Sequence, residues 1–262
     1  MSGAAKFDEK TAKRVEAMYQ TPDVVGQRRA VMAALALEAG EHVLDIGVGP
    51  GLLLEEMANV VGPEGAARGV DTSADMLEMT RGRCAHLSQV AVEMGDATAL
   101  SFPDESFDAA AVTQVYLYVA DLGKALAELH RVLKPGGRAL VLDTDWDSVV
   151  WHTEDRARMA RVLQAWERHF HEARMARLLP AALRRAGLAL ERTSVSPIVN
   201  VGYEEATYSA AMIRNIRSFV SDKHGISRAE ADAWAEELEA RGRDGSYFFS
   251  LNRYLFLARR PH

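Results

Sequence analysis

The stretch that most constrains this chain is "EHVLDIGVGPGLLLEEM", residues 41–57. An apolar run ends in Asp45. Glycines follow at 47, 49 and 51, and a leucine-rich segment begins at once. A strand that feeds a glycine turn and then a helix is the opening half of a βαβ unit. The loop also discriminates between ligands. A dinucleotide fingerprint, G-x-G-x-x-G, would need its third glycine at position 52, which is Leu52. A phosphate loop needs a lysine after its last glycine, and none is near. Asp45, two residues before Gly47, would repel a pyrophosphate entering the turn. It suits a ligand that carries a positive charge, such as an amino group.

The rest of the first half repeats the alternation. After a helical segment over 7–38, with Thr21 as N-cap and Pro22 in the first turn, strands are expected at "HVLDI", "AARGVD", "VAVEMGD", "SFDAAAVTQ" and "RALVLDT". Helices are expected over 50–61, from Ser73 toward Leu87, and over 121–133. The last has Asp121 as cap and Leu122, Ala125, Leu126, Leu129 and Leu133 on one face. Such spacing predicts a mostly parallel sheet covered on both faces. Beyond Asp145 the pattern changes. Helices are expected over 153–178, 204–221 and 227–241, with Ser227 and Glu230 as a capping box. A sixth strand follows Gly187, and "YFFSLNRYLFLARR" closes the chain as a long strand.

Composition excludes little but is useful at two points. The net charge of −6 argues against a nucleic-acid binder. A lone cysteine, Cys84, leaves no intrachain disulfide and no thiolate cluster, and the polar start "MSGAAKFDEK" lacks the apolar core of a signal peptide. With no apolar run of membrane-spanning length, the expectation is a cytoplasmic protein.

D-x-G-x-G-x-G after a strand resembles the signature of class I S-adenosylmethionine-dependent methyltransferases. Three further stretches sit in that family's order: "GVDTSADML" (69–77), "MGDATALSFPDESFDAAAVTQVYLY" (94–118) and "ALAELHRVLKPGGRALVLD" (125–143). The resemblance covers about 20–145 and is similar to the small-molecule branch that includes ubiquinone and menaquinone biosynthesis enzymes. It implies an α/β, Rossmann-like, seven-stranded, mostly parallel sheet with helices on both faces. The late helical insertions, about 146–179 and 199–245, would form a lid. Three regions follow: N-terminal helices over 1–40 covering the cofactor, a cofactor-binding core over 41–145, and the remainder with its cap over 146–262.

Carried over residue by residue, the resemblance implies that Asp45 and Gly47 hold the methionine moiety of S-adenosyl-L-methionine. Gly49 and Gly51 would allow close backbone approach, and Asp71 would accept from the ribose hydroxyls. Thr72 and Met76 would line the nucleoside pocket. Asp96, beside Ala97, would bond the adenine amino group, and Gln114 would sit where cofactor and acceptor meet. Tyr19 and Arg28 would reach the cofactor's carboxylate. The product would be S-adenosyl-L-homocysteine, with no metal required.

The acceptor side carries no motif. Trp146, Trp151 and His152 follow the fifth strand, where open α/β sheets place their crevice; a packing role for the tryptophans competes with acceptor binding. Tyr116 and Tyr118 lie two apart and would share a face of an extended segment, where they would stack on an acceptor or simply pack; Tyr118 joins Trp146 and Trp151 as an acceptor-binding candidate. His152 is the first candidate for a base that deprotonates an acceptor, followed by Tyr116 and Asp145. His169 and His171 are read as solvated helix residues, because positions two apart on a helix do not face each other. The Arg-rich run from Arg156 to Arg192 reads as an exposed helix face. The expectation is in-line methyl transfer to a small-molecule acceptor, without nucleic acid or a membrane span, by a protein that forms a possible homodimer. A nicotinamide-dependent oxidoreductase, or a cofactor-binding protein without methyl transfer, are the alternatives.

Overall fold

The computed structural model describes residues 16–262. The first part of the expected 7–38 helix therefore lies outside the described residues. Residues 16–19 are helical, the chain breaks at Gln20 and Thr21, and helix α1 runs over Pro22–Leu35. Thr21 stands at the N-cap position but its hydroxyl makes no cap bond. It donates backward to the Met18 carbonyl at 2.8 Å and so closes the break.

The sheet grows as the alternation predicts. Strands β1 (His42–Ile46), β2 (Ala66–Asp71), β3 (Val90–Met94), β4 (Phe107–Thr113) and β5 (Leu133–Thr144) are linked by helices α2 (Leu52–Val61), α3 (Ala74–Arg83) and α4 (Leu122–Val132). All of their mutual pairings are parallel, in the spatial order β3-β2-β1-β4-β5. The order reverses at β1, so a crevice opens at the carboxyl ends of β1 and β4.

Side-chain alternation explains the burial. On β1, Leu44 and Ile46 enter one core with Phe107, Val112, Leu126, Leu129 and Val141. Val43 enters the opposite one with Leu54, Met57, Val61 and Leu140. Asp45 shares Val43's phase and is carried to that second face. Burying each large aliphatic side chain contributes about 1.5–3 kcal/mol.

The second half completes the sheet with antiparallel strands. Helices α5 (Arg156–Trp166) and α6 (Met175–Arg185) precede β7 (Ala189–Val201). Helices α7 (Tyr208–Val220) and α8 (Arg228–Asp244) precede β8 (Phe248–Arg259). β8 pairs antiparallel with β5 on one side and with the whole of β7 on the other. A two-residue strand β6 (Val150–Trp151) continues the β5 side, opposite Ser250 and Phe249. Among the described residues the sheet thus has eight strands where seven were expected. The extra strand arises because β8 outruns β5 by several residues, and its bare edge captures the passing chain.

The single helix expected over 153–178 is broken. α5 ends at Trp166, a 3₁₀ turn covers Glu167–His169, and α6 starts afresh at Met175 and carries Pro180 inside it. Of the Ser227 capping box, one half forms: Ser227 Oγ accepts from the Glu230 amide at 3.2 Å. The Glu230 carboxylate instead takes Arg161 of α5, which ties the two helices together.

Helices α5, α7 and α8 bury a third core among Val162, Trp166, Met212, Ile216, Trp234 and Leu238. Phe249 and Leu251 of β8 close it from below. This core stands beyond the carboxyl end of β5, beside the crevice.

Candidate active site at the strand ends

The glycine loop is built by backbone conformation. Gly47, Gly49 and Gly51 all have positive φ, at 74°, 53° and 80°. L side chains rarely adopt that region. Space is also short: a Cβ at Gly47 would overlap the Val115 side chain, and one at Gly51 would lie 2.6 Å from Thr80 Cγ2. Thr80, fully buried on α3, donates its hydroxyl to the Gly49 carbonyl at 2.7 Å. Asp71, at the end of β2, accepts the Gly49 amide at 2.9 Å through one carboxylate oxygen and the Ser73 amide at 2.9 Å through the other. The acid therefore fixes the loop while keeping further lone pairs on both oxygens.

Asp45 is the most telling group. It is buried, and among the described residues neither carboxylate oxygen has a hydrogen-bond partner. Burial first, and then the charge of Asp71, pushes its pKa up to about 7. A buried carboxylate with no donor is costly. A cationic amino group placed against it would supply both the missing donors and the missing charge. The methionine end of S-adenosylmethionine carries such a group, so these residues fit that cofactor.

Other expected cofactor residues lie around the same strand ends. Tyr19 stands over the loop, its ring 3.8 Å from where a Cβ of Gly49 would be. Arg28 does not point to a free carboxylate position: its Nε pairs with Glu56 at 2.7 Å and its Nη1 donates to the Tyr19 carbonyl at 3.0 Å. It positions Tyr19 instead. Met76 is buried at the start of α3 and Thr72 is exposed beside it. Asp96 is exposed, and its Oδ1 accepts from the Thr98 amide and hydroxyl at 2.8 and 2.7 Å, which holds its carboxyl below the usual range. Ala97 is buried next to it.

Gln114 follows β4 in a left-handed conformation, φ 58°, unusual for a residue with a side chain. Its Oε1 accepts from the Thr144 hydroxyl at 2.6 Å, which orients the amide. Its Nε2 is buried and has no partner among the described residues. A strained backbone and a spare donor meet where β4 faces the crevice.

The catalytic candidates separate sharply. Residues 116–118 form a 3₁₀ turn, so Tyr116 and Tyr118 do not share a face. Tyr116 is wholly buried in the core, and burial drives its phenol far above the ordinary value. Asp145 caps the next turn through the Asp147 amide and pairs with Arg177 at 2.9 Å, so its carboxylate is fully engaged. His152 is exposed at the far end of β6, with Nδ1 2.8 Å from the Ser246 carbonyl and its amide bonded to Phe248. Thr144, at the crevice, pairs with Arg253. Five residues along a strand separate that level from Phe248, roughly 17 Å. His152 is therefore remote from the reacting end.

The tryptophans pack rather than line the cleft. Trp151 is buried, meets Trp234 edge-to-face and Phe249 at a tilt, and donates to the Tyr247 hydroxyl at 3.0 Å. Trp146 stacks on Phe170 at 5.1 Å, behind the wall that Tyr118 presents.

Tyr118 is 51% exposed over the whole residue, while burial of its phenol end raises it far above the ordinary value, as at Tyr116. The Tyr118 hydroxyl lies 3.3 Å from His169 Nε2. His169, expected in solvent, is stacked on Trp166 and edged by Phe170 and Phe219, and burial lowers its pKa to about 4. The break between α5 and α6 turns it inward. Asp143, fully buried on β5, accepts from the Leu117 and Thr144 amides at 3.2 Å each, and burial raises its pKa to about 8. Asp143, His169, Tyr208 and Arg253 were not among the expected site residues. Arg253 alone left a trace in the sequence: it occupies an inward position in the period-two series Phe249, Leu251, Arg253, Leu255.

A parallel sheet with this strand order, a D-x-G-x-G-x-G loop with three left-handed glycines and an unpartnered buried acid before it define an S-adenosylmethionine-binding methyltransferase site. Comparison with known proteins agrees. The methyltransferase domain family matches residues 44–141. A 37.1 kDa protein of a Streptomyces fradiae transposon is 33% identical over 91% of this chain and 68% of its own length. A demethylmenaquinone methyltransferase of Symbiobacterium thermophilum is 36% identical over 52% of this chain, which spans 56% of that enzyme. A phosphoethanolamine N-methyltransferase of Haemonchus contortus, solved with S-adenosylhomocysteine, shares the fold with a TM-score of 0.64 at 18% identity, over 98% of this chain and 58% of that one. The chain belongs to the class I S-adenosylmethionine-dependent methyltransferases.

Proposed function

We propose that this protein transfers a methyl group in line to an oxygen, nitrogen or carbon of a small molecule held between the strand ends and the helical cap. The observation that carries the reading is Asp45, buried beside the glycine loop with both oxygens unpartnered. S-adenosylmethionine, when bound, supplies a sulfonium-activated methyl group. Asp45 receives its amino group, and the loop amides and Asp71 hold the ribose side. Thr72 and Met76 border the nucleoside, and Asp96 and Ala97 the adenine. Tyr19, positioned by Arg28, covers the loop. Gln114, oriented by Thr144, directs its free Nε2 toward the junction of the two ligands. Holding two reactants in register contributes several kcal/mol, of the order of 7–11 in well-aligned systems.

In this reading the acceptor meets Tyr118 and not His152 or Asp145. Burial holds the Tyr118 phenol far above its ordinary value, so it meets the acceptor as a neutral hydrogen-bonding hydroxyl that the imidazole of His169 orients. Helices α5, α7 and α8 act as the lid that excludes water. In this reading the protein works in the cytoplasm without nucleic acid. The exposed valines 195, 199 and 201 on the edge strand β7 support a homodimer. Among the described residues no helix is long and apolar enough to cross a membrane.

Calorimetry with S-adenosylhomocysteine and with NADH tests the reading. Saturable binding of the first and none of the second is expected; the reverse would make the protein an oxidoreductase. A methyl-transfer panel then separates an enzyme from a protein that only binds the cofactor.

A further inference from the structure

Arg253 lies where a surface charge has no reason to be. It is 3% exposed, on β8 opposite Thr144, between Phe249 and Leu251 of the cap core and Leu255 of the sheet core. Among the described residues its Nη1 bonds the neutral Gln27 side chain, and Nε has no partner. The guanidinium rests on the Tyr208 ring, 4.6 Å from its centroid. No carboxylate pairs with it among the described residues. Asp143 is near enough to feel its charge, but burial holds that acid at about 8, so it is mostly neutral at pH 7. A buried cation served by an amide and an aromatic face is under-compensated.

Its place in the sheet separates it from the cofactor. From β1, which carries Asp45 and the glycine loop, the sheet passes through β4 and β5 to reach β8. Three strand spacings amount to roughly 14 Å. The nucleoside side lies in the other direction, toward β2. Arg253 thus stands on the side toward which a methyl group would be passed. Tyr19, Tyr118 and Asp143 are within reach of its charge. Of the guanidinium's two edges, the one formed by Nε and Nη2 makes no hydrogen bond among the described residues. That fork matches two oxygens of one anionic group.

We propose that Arg253 recognises an anionic group of the methyl acceptor, a carboxylate or a phosphate, beside the Tyr208 ring on which the guanidinium rests. The acceptor class is thereby a small anion rather than a neutral amine or alcohol. This rests on the methyltransferase reading above and adds the substrate's charge to it.

The test uses the full chain loaded with S-adenosylhomocysteine. Calorimetric titration with benzoate, phenyl phosphate and neutral benzamide should show saturable binding of one or both anions and much weaker binding of benzamide. Benzoate against phenyl phosphate tells a carboxylate site from a phosphate site. Arg253→Met should weaken the anion roughly 10- to 100-fold, as expected for loss of a charge-assisted hydrogen-bonded pair. Arg253→Lys should keep part of it, and S-adenosylhomocysteine affinity should stay within about twofold in both, which also shows that they fold. Equal binding of benzamide and benzoate, or no anion binding by the loaded wild type, overturns the proposal. Loss of S-adenosylhomocysteine affinity in Arg253→Met would move the guanidinium to the cofactor and overturn it too. If the wild type fails to bind S-adenosylhomocysteine at all, the methyltransferase reading fails first and separately.

Discussion

The carboxylate of Asp71 accepts the amide of Gly49 at 2.9 Å, so the acid that ends the second strand holds the loop that follows the first. Two ligand-binding elements are one hydrogen-bonded unit before any ligand arrives. Asp71→Ala should therefore do more than remove ribose contacts. It should weaken S-adenosylhomocysteine roughly 10- to 100-fold and also lower the thermal midpoint of the free protein, because a charge-assisted bond to the loop contributes about 1.5–3 kcal/mol. Calorimetry and a melting curve on the same sample read both effects. A variant with unchanged melting would show that the loop does not depend on Asp71.

Asp45 predicts a pH dependence. Its folded pKa, about 7, lies above the ordinary 3.8. The folded free protein thus holds a proton that the unfolded chain has already lost, and the contribution of Asp45 to stability falls as pH rises from about 4 to 7. Asp143, raised to about 8, acts in the same sense over a slightly wider window. The ionised form of Asp45 is the one that attracts an ammonium, so S-adenosylhomocysteine affinity should rise between pH 5.5 and 8. Asp45→Asn should bind weakly and lose that rise. A flat wild-type profile would remove Asp45 from the amino group.

Gly47→Ala meets two penalties, a left-handed backbone and a collision with Val115. The strain alone costs about 1–2 kcal/mol, and the collision adds to it. Denaturant melts should show a loss beyond the strain value. The double variant Gly47→Ala with Val115→Ala should recover part of the loss, since it removes only the collision. No recovery would mean that backbone conformation is the whole cost.

The remote position of His152 makes a sharp contrast with Tyr118. His152→Ala, at an exposed site, should change stability by no more than about 0.5 kcal/mol and leave methyl transfer within about twofold. Tyr118→Phe should lower kcat/KM by removing a hydroxyl that contacts the acceptor, and His169→Phe, which removes only the partner of that hydroxyl, should lower it less. A collapse of activity in His152→Ala would restore the base to the end of β6.

Trp151→Ala should cost about 3–5 kcal/mol by opening a cavity between Trp234 and Phe249. In folded protein the affinity for S-adenosylhomocysteine should be kept, because the ring packs the cap and does not face the loop. A normal melting curve with impaired acceptor turnover would return Trp151 to the cleft.

What the sequence determined by itself was local and periodic. The alternation of strand and helix over residues 42–144, the three glycines and the acids at 45 and 71 each depend on neighbours a few positions away, so the parallel half and the loop that the proposed cofactor site rests on were legible before any coordinate. The acceptor side was decided by tertiary structure. Tyr116 and Tyr118 parted because a 3₁₀ turn replaced a strand, and His169 turned inward because the helix expected there broke. Trp151 was claimed by a cap core whose members are gathered from helices and strands scattered between Val24 and Leu251. Arg253 became a site residue only when β8 laid it beside the end of β5, 109 positions away from its partner Thr144 in the chain. Contacts of that range leave no period in a sequence, because they are fixed by which strand lies next to which.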